Sequence, residues 1–321
     1  MPMARNFDVF NGDADGLCAV HQYRLAHPAD SVLVTGVKRD IKLLERVDAA
    51  SGDHVSVFDI SLDSNRPALE RLLQSGAEVV YFDHHYAGEI PRHAALHATI
   101  DTAPDICSAL LVDRVLRGRF RLWAIVAAFG DNLDETGRRL AAEQGLADAD
   151  SRLLARLGEC LNYNGYGDAI ADLHIAPEQL YGELRPYASP LEFAIESASF
   201  AMLEQGMAAD LAHLPTLRPE RESGSGALYV LPDAPWSRRV SGVFANRLAR
   251  GAPDRAHAVL TPDPHGTYTV SVRAPRSQPS GADALCRRFP NGGGRAAAAG
   301  INRLATIEVE AFAAAFAAQR W

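Results

Sequence analysis

Cysteine is scarce and scattered: four among 321 residues, Cys18, Cys107, Cys160 and Cys286, with no C-x-x-C pair. That spacing indicates neither a zinc site nor a disulfide framework, and the four are expected to be reduced fillers of the interior. No apolar run approaches the roughly 20 residues that a membrane-spanning helix needs. The segment Met1 to Asn6 leads into a strand-like run with no apolar signal stretch, so the expectation is a cytoplasmic protein without a membrane partner. A positive net charge is also missing, since 32 Lys plus Arg face 40 Asp plus Glu for a net of −8. Nonspecific affinity for long duplex DNA comes from neutralising many phosphates, so an acidic chain does not favour that partner. Internal repeats and low-complexity tracts are lacking as well.

What is present is room for two domains and enough apolar residues, 47% of the chain, to give each a core. The charge is unevenly spread. From Arg218 onward 14 arginines face eight acids, a surplus of six, so with a net of −8 the preceding residues carry −14. An acidic N-terminal part suits metal. An arginine-rich C-terminal part suits bidentate contact with phosphate, which guanidinium makes better than ammonium. A mononucleotide, dinucleotide or short oligonucleotide fits this balance. The sequence is compatible with a homodimer and carries no determinant of oligomeric state.

Strand-like and helical runs alternate: Asn6 to Asn11, then Gly16 to Ala26; Ser31 to Val37, then Arg39 to Ala49; His54 to Ile60, then Arg66 to Ser75; then Glu78 to Asp83. This rhythm predicts an α/β fold with a parallel, doubly wound sheet whose ligands sit at the strand carboxyl ends. Asp101 to Arg117 and Arg121 to Gly145 read as mostly helical, Ser151 to Cys160 continues that character, and Pro190 to Leu214 reads as a connecting helix. Glu220 to Gly226 is the best linker candidate. Beyond it, Ala227 to Leu231, Ala256 to Thr261 and Thr267 to Arg273 read as strands around a helix from Ser241 to Arg250. The expected division is a catalytic domain over 1–188, a connecting helix and linker over 189–222, and a smaller α/β substrate-binding domain over 223–321.

Acidic residues and histidines close four short apolar runs. Asn11-Gly12-Asp13-Ala14-Asp15-Gly16 follows Phe7 to Phe10, Asp59 follows Val55 to Phe58, Asp83-His84-His85 follows Val79 to Phe82, and Asp131 follows Ala124 to Phe129. Carboxylates gathered at one place repel one another and are costly to desolvate, so the pattern calls for a compensating cation, with divalent metal the natural candidate.

The order and spacing of these groups resemble the DHH phosphoesterase superfamily, which includes RecJ-type exonucleases, nanoRNA phosphatases, cyclic-dinucleotide phosphodiesterases and family II pyrophosphatases. The matching residues are Asp13-x-Asp15-Gly16, Asp59, Asp83-His84-His85 and Gly130-Asp131. Gly292-Gly293-Gly294-Arg295, followed by Ala296 to Gly300, is similar to the Gly-Gly-Gly-His signature of the associated DHHA1 domain. Two positions depart from the pattern. Asn11 stands where RecJ-type members have a metal-binding His, and Arg295 where the family has His. An amide oxygen is a poorer ligand than imidazole for a transition metal but acceptable for Mn²⁺ or Mg²⁺.

The resemblance implies two divalent ions, Mn²⁺ or alternatively Mg²⁺. One would be held by Asn11, Asp13 and Asp59, the other by Asp15, Asp59, His84 and Asp131, with Asp59 bridging. Two such ions activate a water for in-line attack on phosphorus. Asp83 would orient a ligand histidine and His85 would contact the scissile phosphate. Gly292 to Gly294 would admit an anion close to the backbone, a helix starting near Arg295 would add its N-terminal dipole, and Arg295 and Arg273 would clamp phosphate.

Simpler readings stand beside these. Asp13 and Asp15 could cap the first helix, Arg295 and Arg273 could be surface arginines, and Tyr163 and Tyr166 could pack on the helical layer rather than stack a base. Lys38 and Arg39, after the second strand, could meet substrate or start a solvated helix. The functional reading is a metal-dependent phosphoesterase for diester bonds of short oligonucleotides or dinucleotides. The alternatives are a pyrophosphate or polyphosphate hydrolase and a catalytically silent nucleotide-binding module. If Arg295 grips phosphate, Arg295→Ala lowers kcat/KM by about 10- to 150-fold, the loss of a charged hydrogen bond of about 1.5–3 kcal/mol, without removing metal. Unchanged efficiency in initial-rate assays makes Arg295 a surface residue.

Overall fold

The computed structural model describes residues 4–321 and comprises two compact units that meet in sequence at Gly206 and Met207. This division falls within the stretch expected to connect the domains.

The first unit is built on five strands, β1 (Asn6–Asn11), β2 (Val32–Gly36), β3 (His54–Phe58), β4 (Glu78–Asp83) and β5 (Leu96–Ile100). All pair in parallel, in the order β2-β1-β3-β4-β5. Alternation along the strands sends side chains to the two faces. Phe7, Val9, Val55, Val57, Val79 and Tyr81 enter one core with Leu69, Leu72 and Leu73 of α2 (Leu62–Gln74). Phe58 and Phe82 stack at 5.8 Å, and Tyr23 of α1 (Ala14–Ala26) lies against both. Both faces are covered, so the strands read as near-continuous apolar runs.

The chain leaves β1 toward β2 on one side and toward β3 on the other. A topological switch point therefore lies between β1 and β3, where open α/β sheets place ligands outside the strand carboxyl ends.

A helical layer follows: α3 (Ser108–Val115), α4 (Arg121–Gly130), α5 (Asp134–Glu143), α6 (Asp148–Gly165), α7 (Pro177–Leu184) and α8 (Pro190–Glu196). The helix α4 is the centre of this layer, buried from Trp123 to Gly130. Glycine permits its close approach to α6, since a Cβ on Gly158 would meet the Val126 carbonyl oxygen at 2.2 Å.

The helix α9 (Ala198–Ala212) carries the chain into the second unit. There β6 (Arg221–Glu222), β7 (Gly226–Val230), β8 (Ala256–Pro262), β9 (Thr267–Arg273), β10 (Gly292–Gly294) and β11 (Ala298–Ala305) form a mixed sheet in the order β10-β11-β9-β8-β7-β6. Helices α10 (Pro235–Gly251), α11 (Ala282–Cys286) and α12 (Val309–Ala318) complete the unit.

Several expectations are corrected. Arg39 to Ala49 forms only one 3-10 turn, Leu43–Arg46, in place of a helix. Asp101 to Arg117 is helical only over Ser108–Val115, and β5 carried too weak an alternation to be expected. The linker candidate Glu220 to Gly226 instead supplies β6 and the turn into β7. Arg121 to Gly145 is helical as expected but in two pieces, α4 and α5, and Asp131 is the C-cap of α4 rather than embedded in one helix. No helix starts at Arg295. The triple glycine is strand β10, hairpinned onto β11, because a Cβ on Gly292 would lie 1.9 Å from the Cys286 carbonyl oxygen and Gly294 adopts φ of +137°.

One buried ion pair ties α1 to the sheet. Asp8, fully buried on β1, accepts from Arg24 Nε at 2.8 Å and Nη2 at 2.6 Å, and from Ser31 Oγ at 2.5 Å. Removing the guanidinium leaves a carboxylate in the interior with one hydroxyl partner. Arg24→Ala is therefore expected to cost about 3–5 kcal/mol of stability in urea denaturation. A loss near zero would mean that Ser31 and water suffice.

Candidate metal centre

Four acids and a histidine meet at the switch point, delivered by the ends of strands and helices. Asp13 is the N-cap of α1, and its Oδ1 accepts from the backbone N–H groups of Asp15 and Gly16 at 3.1 Å each. The capping reading and the site reading of Asp13 thus hold together. Asp15, in the first turn of α1, accepts from the N–H groups of Ser108 and Ala109 at 2.7 Å each, so the start of α3 holds both of its oxygens. Asp59 follows β3 with φ of +58°, a left-handed conformation that is rare for a residue with a Cβ and concentrates at functional sites. Its N–H donates to the Phe82 carbonyl at 3.0 Å and its Oδ1 accepts from Ser108 Oγ at 3.3 Å.

His84 follows β4. Its Nδ1 donates to the Ile106 carbonyl at 2.9 Å, which fixes the ring and leaves Nε2 as the acceptor, the usual support for a metal-binding imidazole. That Nε2 lies 3.4 Å from Asp59 Oδ1, 3.8 Å from Asp131 Oδ2 and 3.9 Å from Asp15 Oδ2. Ligands about 2.1 Å from one ion stand about 3 Å apart when adjacent and about 4.2 Å when opposite. Each of the three carboxylates thus stands at ligand spacing from His84. Asp59, His84 and His85 also present ligand atoms within 4.8 Å of one another.

The expected role of Asp83 changes partner. Its Oδ1 accepts from His85 Nδ1 at 2.6 Å and from the His85 N–H at 3.1 Å, while Oδ2 accepts from the Leu62 N–H at 3.2 Å. It orients His85; the Ile106 carbonyl orients His84. His85 remains about half exposed, and with Nδ1 spent on Asp83 its Nε2 is the nitrogen left for a ligand.

Sequence reasoning leaves Lys38 with little weight, and the structure puts it inside the cluster. Its Nζ is 2.5 Å from Asp13 Oδ2, 3.9 Å from Asp131 Oδ1 and 2.9 Å from Asn162 Oδ1, and it lies 5.3 Å from the centre of the Tyr166 ring. Burial works against the ammonium, but Asp13, Tyr166 and Asp131 together outweigh it and raise the Lys38 pKa well above its ordinary value. No sequence motif could have flagged this lysine, because Asn162 on α6, which holds it in place, is 124 residues away. Asn11 is next to it: Nδ2 donates to the Lys38 carbonyl at 3.3 Å, and Oδ1 is buried with no hydrogen-bond partner among the described residues. Ser108 was also missed; its role needs the fold of α3.

In the second unit, Arg273 and Arg295 stand at the same end of the sheet. Arg273 pairs in register with Ala298, and the Arg295 N–H donates to the Ala298 carbonyl at 2.9 Å. Arg273 Nε donates to Asn246 Oδ1 at 2.9 Å, whereas Arg295 is exposed in the turn. Tyr163 is buried in the helical layer with its hydroxyl 2.8 Å from His174 Nε2, which favours packing over base stacking.

The electrostatics are those of an incompletely compensated cluster. Burial pushes the Asp59 pKa well above the carboxylate range, with the charges of Asp15, Asp13 and Asp131 adding to it. Burial likewise raises Asp131 to about 6, with Lys38 opposing. Burial also opposes the charge on Asp13, but Lys38 with hydrogen bonds from Gly16 and Asp59 outweighs it and holds Asp13 below its ordinary value. Since the fold binds the Asp59 and Asp131 protons more tightly than the unfolded chain, metal-free stability falls as pH rises from the unfolded carboxylate range through about 6. A divalent ion relieves that loss. The rise in Tm on adding Mn²⁺ is therefore expected to be larger at about pH 7.5 than at about pH 5 by differential scanning fluorimetry; an equal or larger rise at the lower pH contradicts it.

No protein-family model and no curated protein matches the chain. Solved structures do match. The chain is similar to a crystal structure of exonuclease RecJ bound to manganese, over 97% of this chain and 89% of the other, at 20% identity and a TM-score of 0.62. It is also similar to a DHH domain from a member of a family of ribosomal proteins, over 98% and 86% of the two chains, at 16% identity and a TM-score of 0.64. RecJ from Thermus thermophilus in complex with Mn²⁺ matches 97% of this chain with 51% of its own, at 20% identity and a TM-score of 0.59. The chain thus has the fold of the DHH superfamily, with its own acidic cluster at the switch point of the parallel sheet.

Proposed function

We propose that this chain is a divalent-metal-dependent phosphoesterase that hydrolyses phosphodiester bonds of short oligonucleotides or dinucleotides. One observation carries the reading: carboxylate oxygens of Asp15, Asp59 and Asp131 each stand 3.4–3.9 Å from His84 Nε2 while burial, and after it mutual repulsion, raises Asp59 and Asp131. Mn²⁺ is the first candidate and Mg²⁺ the alternative, since carboxylates with one imidazole suit both hard cations. Similar RecJ structures in complex with Mn²⁺ and with Mg²⁺ support a divalent ion.

Bound there, the ion supplies a Lewis acid and lowers the pKa of a water for attack on phosphorus. The protein's own groups do the rest. Ser108 and the start of α3 hold Asp15 and Asp59 in place before substrate arrives. His85, locked to Asp83 through Nδ1, presents Nε2 to a non-bridging oxygen or the leaving group, and against the cost of burial Asp83 stabilises its protonated form. Within the second unit, Arg273 and Arg295 offer guanidinium groups of the kind that bind phosphate.

Turnover of a panel comprising short oligonucleotides, linear and cyclic dinucleotides, 3′,5′-bisphosphate nucleotides and pyrophosphate, with and without Mn²⁺, tests the reading. Metal-dependent cleavage of diesters with pyrophosphate untouched supports it. Pyrophosphate as the sole substrate moves the chain to phosphoanhydride hydrolysis, and inertness on all of them overturns the enzymatic reading. Asp59→Asn makes the sharper variant, because Asn tolerates the left-handed backbone that Ala resists. It is expected to abolish turnover and to leave the metal-free Tm equal or higher, as one repelling carboxylate is removed. Near-native activity would refute a metal centre on Asp59.

A further inference from the structure

In a two-ion site the first position would be held by Asn11, Asp13 and Asp59, and its donors are already engaged. Asp13 Oδ1 is used by the helix cap, and Oδ2 lies 2.5 Å from Lys38 Nζ. An ion bound to that oxygen at about 2.1 Å would need the space the ammonium fills. What is left is a neutral amide oxygen on Asn11 and the shared Asp59, fewer protein donors and less charge than a divalent ion takes from a carboxylate site.

Lys38 is held there by groups outside the carboxylate cluster. Its Nζ donates to Asn162 at 2.9 Å and lies over the Tyr166 ring, and its backbone N–H donates to the Gly165 carbonyl at 2.8 Å. These partners close the end of α6 against the loop after β2. A Cβ on Gly165 would lie 2.9 Å from Asp13 Cβ, so only glycine lets that end approach so closely. Next in sequence, Arg39 pairs with Asp168 at 3.1 Å and pins the same loop. An arrangement built from both sides of the lysine is a seat for it, distinct from attraction to free carboxylates.

Resting on the phosphoesterase reading, we infer that Lys38 is a resident cation at the first metal position, so that the chain takes one divalent ion rather than two. The four acids Asp13, Asp15, Asp59 and Asp131 carry four negative charges when ionised, and one divalent ion with one ammonium leaves a single negative charge. Lysine neutralises Asp13 permanently and does not dissociate on dilution or chelation. It also stands beside Asp131, where it contributes positive charge toward a bound phosphate. Asn11 in place of a histidine follows from the same arrangement, since a position filled by an ammonium needs no imidazole.

The test is metal content per chain, measured by plasma mass spectrometry after loading with excess Mn²⁺ and desalting, for the native protein, Lys38→Met, and Lys38→Met combined with Asn11→His. Circular dichroism confirms folding of each. The native protein is expected to hold one ion and to show the electron paramagnetic resonance hyperfine pattern of an isolated Mn²⁺. The double variant, which clears the ammonium and restores an imidazole, is expected to hold two and to show exchange coupling. Two ions in the native protein overturn the inference and leave the phosphoesterase reading standing, with no need of the variants. One ion in the native protein and one in a folded double variant also overturn it, because Lys38 is then not what fills the position. No ion in the native protein removes the metal-dependent reading itself.

Discussion

Mutual repulsion among buried carboxylates is the constraint around which the first unit is arranged. Asp13, Asp15 and Asp59 are almost fully buried and Asp131 largely so, and bringing them together costs free energy that hydrophobic burial elsewhere must offset. The chain meets the cost locally and unequally. Asp15 is satisfied by two backbone N–H groups at the start of α3, Asp13 by its own helix cap and Lys38, and Asp59 by little more than a serine hydroxyl. The group with the weakest compensation is the one whose carboxyl is pushed furthest up and whose backbone is held in the left-handed region.

The parallel sheet makes this gathering possible. Ending β1, β3 and β4 at one edge brings Asn11, Asp59 and Asp83 to the same level, and the reversal of strand order at β1 opens the crevice between their loops. Buried α4, seated against α6 and α1 through close glycine contacts, sets Asp131 opposite that edge from the helical layer. Substitutions far from the acids can therefore move them, because their spacing is set by helix packing as much as by the strands.

Four of the five parallel strands, the helices α1 and α2, and the acids that follow the strands were legible in the sequence because each rests on local pattern: apolar runs closed by Asp or His. The helical character around Asp131 was legible, but its place as a C-cap was not, since no local pattern marks the break between α4 and α5. The partner of Asp83 was not legible, because adjacent histidines cannot be told apart before their ring hydrogen bonds are known. The triple glycine was read as the approach to a helix; it is a strand whose glycines are demanded by Cys286 and by a positive φ. Lys38 shows the limit most clearly. Its position depends on Asn162, Gly165 and Tyr166, contacts that exist only once α6 has packed beside the loop after β2.

Anomalous diffraction at the manganese absorption edge, from crystals of the native chain grown with Mn²⁺, bears most directly on the central claim that these acids form a divalent-metal centre. The account predicts one peak, bounded by Asp15, Asp59, Asp131 and His84, with Lys38 still on Asp13. A structure with no peak at those four residues, at a Mn²⁺ concentration that saturates the protein in solution, would contradict it.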